Sequence, residues 1–129
     1  MDMKEDTIAH ELLRDELFIR MMLAFATHRG EVDFHGRDVL HAVADEAREL
    51  HADAIVVNRF MYIEMCVVMR RVASGVDSYS CIDAEKSFCR ILGIPCVVYN
   101  SYDVIPYNCI LLIRDGKPTP QSWLVEFSL

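Results

Sequence analysis

The chain has 129 residues, 53% of them hydrophobic, with only five glycines and four prolines. That suits one folded domain, residues 1–129, with a core of its own, and excludes a disordered or collagen-like chain. Net charge is −7, and residues 1–50 hold twelve Asp/Glu against six Lys/Arg while the rest hold eight against seven; such a balance argues against binding a phosphate backbone, so no nucleic-acid partner is expected and a basic protein partner is compatible.

The chain opens "MDMKEDTIAHELLRDE", which has neither the basic start nor the unbroken apolar run of a signal peptide. The longest apolar stretches are cut by Arg59, Glu64, Arg70 and Arg71, well short of the roughly 18 uncharged residues of a membrane span. A soluble, cytoplasmic chain is expected, with no membrane association. Ile8, Leu12, Leu13, Leu17, Met21 and Phe25 recur at helical spacing and predict a helix over 7–28. Asp6 or Thr7 would cap it and Gly30 would end it. "GEVDFHG" reads as a connection, and residues 37–51 as a second helix with Val39, Leu40, Val43, Ala47 and Leu50 inside.

Residues 53–75, "DAIVVNRFMYIEMCVVMRRVASG", read most simply as one helix capped by Asp53 and burying Ile55, Val56, Phe60, Ile63, Val67 and Val72. The alternative is a strand near residue 55 and a helix after Phe60, since β-branched content lowers helix propensity. After the loop "SGVDSYS", Ser80 and Asp83 make a capping-box-like start. Ala84, Phe88, Ile91 and Leu92 then give a helix over 81–92, which Gly93 and Pro95 would stop. "PCVVYN", "CILLIR" and "SWLVEFS" read as strands, the last two joined through an Asp-Gly turn as an antiparallel hairpin. The expected class is α+β: a helical N-terminal half of three to four helices packed on a small three-stranded antiparallel sheet.

Five cysteines, Cys66, Cys81, Cys89, Cys96 and Cys109, include no C-x-x-C pair. Reduced thiols, mostly serving as small core residues, are expected. Cys81 stands apart because a thiol at a helix N-terminus has a lowered pKa. Asp38, His41, Asp45 and Glu49 share a helix face, so His41 and Asp45 are candidate metal ligands, with His28 and His35 nearby in sequence; the same spacing also describes a solvated face. No phosphate loop, serine elbow or nucleotide fingerprint is present, and no cofactor is implied.

The run from Cys81 through a short helix to Gly93-Ile94-Pro95, followed by "CVVYNSY" and "NCILLIRDGKPTPQSWLVEFS", resembles the transglutaminase-like, papain-like core of cysteine enzymes over residues 78–128. The resemblance implies a cysteine opening a helix, a histidine opening the next strand and an acid closing the one after. It assigns these places to Cys81, Asn108 and Glu126. Asn108 in the histidine place supplies no general base, and Asp83 and Glu85 beside Cys81 oppose thiolate formation. The sequence therefore predicts a small acidic interaction or regulatory protein, non-catalytic, on a degenerate transglutaminase-like core, with a protein partner and a homodimer favoured by the apolar fraction and seven methionines. The alternative is an active cysteine hydrolase or acyltransferase using Cys81.

Overall fold

A computed structural model describes residues 15–34, 36–72, 79–83, 88–99, 104–116 and 119–128. Among these residues, three helices and seven strands follow one another as α1 (Glu16–Ala24), β1 (Thr27–Val32), α2 (Val39–Glu49), β2 (Ala54–Val57), α3 (Arg59–Val72), β3 (Tyr79–Asp83), β4 (Phe88–Ile91), β5 (Ile94–Val98), β6 (Cys109–Arg114) and β7 (Gln121–Phe127). The strands form one mixed sheet in the order β1-β7-β6-β2-β5-β4-β3. β1 runs parallel to β7 and β2 parallel to β5; the other neighbours are antiparallel.

The central strands carry unbroken apolar runs, AIVV in β2 and CILLIR in β6, because both faces of the sheet are covered. Alternation sends Ile55, Val57, Ile110 and Leu112 to one core with α2 and α3. Ala54, Val56, Leu111 and Ile113 go to a second core with Ile19 and Met22 of α1. The fold is thus three layers, with α1 on one face and α2 with α3 on the other.

Local chemistry fixes the helix ends. Asp15 caps α1 by accepting from Leu17 N at 2.9 Å, and Asp38 caps α2 by accepting from His41 N at 2.9 Å. α2 ends in a Schellman arrangement: His51 N donates to Arg48 O, Ala52 N donates to Ala47 O, and His51 takes φ 52°. Asn58, fully buried, ends β2 and caps α3 through Met61 N, while its Nδ2 donates to Pro106 O at 2.7 Å. No helix among the described residues is long and apolar enough to cross a membrane.

The α+β class stands, but the expected three-stranded antiparallel sheet does not: among the described residues the sheet is mixed and has seven strands. Three readings cause the difference. Thr27–Val32 is a strand, not the end of a helix and a connection. Residues 53–75 split as the alternative had it, with β-branched Ile55, Val56 and Val57 in β2 and Asn58 starting a new helix. Residues 81–92 hold no helix among those described; Tyr79–Asp83 and Phe88–Ile91 are antiparallel strands. Gly93 is indeed left-handed, at φ 78°, but with Leu92 at φ 54° it forms the tight turn of the β4–β5 hairpin. Pro95 pairs with Arg90, and the β2 pairing of β5 starts only at Cys96, so its missing N–H interrupts neither ladder. The second helix and the β6–β7 hairpin are as read.

Candidate functional site

Asn108 and Glu126 are brought together at one corner of the sheet. The β6–β7 register sets Cys109 opposite Glu126. Asn108 clamps the end of β7 twice: its carbonyl accepts from Phe127 N at 2.9 Å and its Nδ2 donates to Phe127 O at 3.1 Å. These bonds are structural, and they leave Asn108 without the proton-accepting role that a histidine would have there. Parallel pairing of β1 with β7 then adds a residue the hairpin alone did not reveal, His28, whose Nε2 lies 3.6 Å from Glu126 Oε1. Gly30 sits beside this pair because a Cβ there would fall 3.0 Å from His28 Cε1 and 3.3 Å from Glu126 Oε1. The strand bulges at this point, and Glu31 takes φ 58°.

The corner contains a thiol, an acid and an imidazole, in an order that works against nucleophilic catalysis. Burial first, and the Glu126 carboxylate second, push the Cys109 thiol up to about 11. It is protonated at neutral pH, and its Sγ donates to Asn108 Oδ1 at 3.7 Å. An activated cysteine has the imidazole beside the sulfur and the acid behind the imidazole; here His28 holds the carboxylate that disfavours the thiolate.

Cys81 is elsewhere. It lies in β3, the last strand of the sheet, and not at the start of a helix. Five strand spacings separate β3 from β7, on the order of 24 Å, so Cys81 does not join Asn108 and Glu126. Of the residues flanking it, Asp83 is in the same strand, while Glu85 lies outside the described residues.

His41 and Asp45 do not converge either. His41 Nδ1 is 2.7 Å from Asp38 Oδ1, a contact that with the backbone bond of His41 holds the Asp38 carboxyl below its ordinary range against the opposing effect of burial. Asp45 takes Arg37 at 2.5 Å and Arg48 at 3.6 Å. Glu49 and the buried Glu46 both bind Arg29 of β1, at 3.1 and 2.6 Å. The α2 face is an ion-pair lattice tying the helix to β1 and its following loop. Among the described residues no group of three or more His, Cys, Asp or Glu is placed to hold a metal ion. His35 lies outside them.

The feature that sequence reading placed wrongly is apolar. Leu17, Met21 and Phe25, part of the row whose spacing predicted the helix, form the outer row of α1, with Leu17 and Phe25 each 77% exposed and Met21 47%. The residues that dock α1 are Ile19 and Met22, supported by Phe18 and Leu23. On α3 the expected face is inverted: Phe60, Ile63 and Val67 are exposed, while Met61, Tyr62, Met65 and Val68 are buried. Phe60 stands edge-on to exposed Tyr107, ring centroids 6.0 Å apart. The signal was in the sequence: "LFIRMMLAF" has one polar residue in nine, and a helix apolar all round has more than one face to cover.

No protein-family model, curated protein or solved structure matches the chain.

Proposed function

We propose that this chain is a small non-catalytic interaction protein that self-associates through the outer row of α1. The observation that carries the reading is the exposure of Leu17, Met21 and Phe25 on a helix whose opposite side is already docked on the sheet. Spacing of four residues makes the row self-complementary. An antiparallel meeting of two copies about Met21 sets Leu17 of one against Phe25 of the other, and i±4 rows are those that interlock in the commonest helix crossing. The charge on this face is balanced, since Glu16 and Arg20 pair at 3.0 Å. Two copies of net charge −7 therefore meet at a row whose neighbouring Glu16 already has its cation. A single-helix contact is smaller than the roughly 800 Å² per partner of a standard interface, so a micromolar dimer is expected. The cysteine-hydrolase alternative draws no support from the placement of Cys81, Asn108 and Glu126.

Sedimentation velocity on wild type and on Leu17→Glu/Phe25→Glu tests the reading. Wild type should show a dimer at about 100 µM, and the variant should be a monomer with an unchanged circular dichroism spectrum. A wild-type monomer at that concentration rejects self-association, and a basic protein captured through the same row would replace the second copy as its occupant.

A further inference from the structure

Three of the five cysteines fall in one row across β3, β4 and β5: Cys81 is the Cα partner of Cys89, and Cys89 is the Cα partner of Cys96. The two pairings are not equivalent, and the hairpin turn decides how they differ. The β4–β5 turn is two residues, Leu92 and Gly93, both left-handed, and it closes on the pair Ile91 and Ile94. In such a hairpin the closing pair exchanges both backbone hydrogen bonds, and bonded and non-bonded pairs alternate from there. Arg90–Pro95 is then non-bonded and Cys89–Cys96 is bonded. Since the backbone groups of Cys89 are directed at β5, those of Arg90 are directed at β3. Cys81–Cys89 is consequently a non-hydrogen-bonded pair.

That distinction sets disulfide geometry. Cα atoms of a non-bonded antiparallel pair lie about 4.5 Å apart and those of a bonded pair about 5.5 Å. Both separations fall in the disulfide window, but the Cβ approach of roughly 3.5–4.5 Å that a disulfide needs is met more closely by the non-bonded pair. Position adds to the difference. β3 is the terminal strand of the sheet, whereas Cys96 is fully buried in a strand flanked by β2 and β4.

We propose that Cys81 and Cys89 are a redox-active pair that closes to a cross-strand disulfide between β3 and β4, in preference to Cys89–Cys96. A low-molecular-weight disulfide, RSSR, serves as oxidant. One cysteine thiolate attacks a sulfur of RSSR, forming a protein–SR bond and expelling RS⁻. The second cysteine, deprotonated, attacks the protein sulfur of that mixed disulfide, forming the Cys81–Cys89 bond and expelling the second RS⁻. Two protein thiols are oxidised, RSSR is reduced to two RSH, and the two protons released end on those thiols. The bond pins the terminal strand to its neighbour just before its register shift between Cys81 and Asp83.

The test is oxidation of the full chain by oxidised glutathione, alkylation, tryptic digestion and mass spectrometry without reduction. Cleavage after Arg71, Lys86, Arg90 and Arg114 puts Cys81 in 72–86, Cys89 in 87–90 and Cys96 together with Cys109 in 91–114, so the digestion is run on Cys109→Ala, in which the 91–114 link reports Cys96 alone. In the folded chain the 72–86/87–90 link should exceed the 87–90/91–114 link by on the order of tenfold. In denaturant the two loops are nearly equal in length, Cys89 lying eight residues from Cys81 and seven from Cys96, so the links should come within about twofold. Cys96→Ser should retain the first link. Equal links in the folded chain, predominance of Cys89–Cys96, or complete alkylation of Cys81 and Cys89 after oxidation would each overturn the proposal.

Discussion

α2 and the pair α1 and α3 differ in how much of their surface the fold uses. In α2 the apolar residues are consumed by the core: Leu40, Ala42, Val43, Ala44 and Ala47 are buried, and its outer side is charged and bonded to Arg29, Arg37 and its own Arg48. α1 and α3 bury one row and expose another of comparable size. The difference teaches that hydrophobic periodicity locates a helix but orients it only when the opposite side is polar. Where both sides are apolar, the sheet takes one and leaves the other. In both cases the buried side is rich in methionine, Met22 on α1 and Met61 and Met65 on α3, whose unbranched chain fits an irregular space over a twisted sheet. Phenylalanine and β-branched residues make up most of the row left outside.

The largest expected effect is on the side where the core uses everything. Leu40 is fully buried among α2, α3 and the sheet. Leu40→Ala should cost about 3 kcal/mol of unfolding free energy, from lost transfer and the cavity it leaves, measured by urea denaturation. A loss under about 1 kcal/mol would mean that the surrounding core collapses into the space Leu40 leaves.

Next is the ion pair that joins α2 to β1. Glu46 is only 4% exposed and receives Arg29 Nε at 2.6 Å. Arg29→Met leaves a buried carboxylate without its partner and should cost about 2 kcal/mol, the low side for such pairs because Arg29 is itself partly solvated. Arg29→Met/Glu46→Met should recover most of that loss. If the double variant is no better than the single one, the pair contributes packing and not charge compensation.

Much of this was legible beforehand, for reasons that particular residues make plain. Asp38 before an amphipathic run, and "CILLIRDG" before "SWLVEF", are unambiguous because cap, period and turn agree. Residues 80–95 misled because their signals serve two structures equally. A left-handed glycine followed by proline suits a helix C′ and a two-residue hairpin turn alike, and only pairing with β2 and β3 decides. Asn108 and Glu126 lie together because one hairpin carries both, while Cys81, assigned to the same place, lies in β3. His28 was missed since it arrives through a parallel partner about a hundred residues away, a contact that no local pattern encodes.

The neighbours Met21 and Met22 separate the two sides of α1 within one peptide bond. Met22→Ala should cost about 2 kcal/mol, because the Met22 side chain is buried in the α1-side core; the Met22 carbonyl, which accepts from Ser122 Oγ at 2.7 Å, is kept in the variant. Met21→Ala should change monomer stability by less than about 0.5 kcal/mol while weakening self-association. Equal effects on stability would put α1 in a different rotation on the sheet.

The smallest effect reports whether α1 stays seated. Cys109 lies in the core that α1 covers, and its thiol ionises at about 11 in place of an ordinary 9.0, through burial and then through Glu126. Below pH 9 the thiol is neutral in both states and its contribution to stability is complete. Between 9 and 11 the unfolded chain ionises and the folded one does not, so folding loses stability as pH rises, by on the order of 2 kcal/mol at most at the top of that range. Other titrating groups are common to wild type and Cys109→Ala and cancel in their difference. That difference should favour wild type by about 1 kcal/mol near neutral pH, for the packing lost, and should shrink or reverse from pH 9 to 11. A constant difference would mean that Sγ meets water in the folded chain. In a Met22→Ala background the same shrinkage should persist if α1 still covers the sheet, and should vanish if the loss of one methionine lifts the helix away.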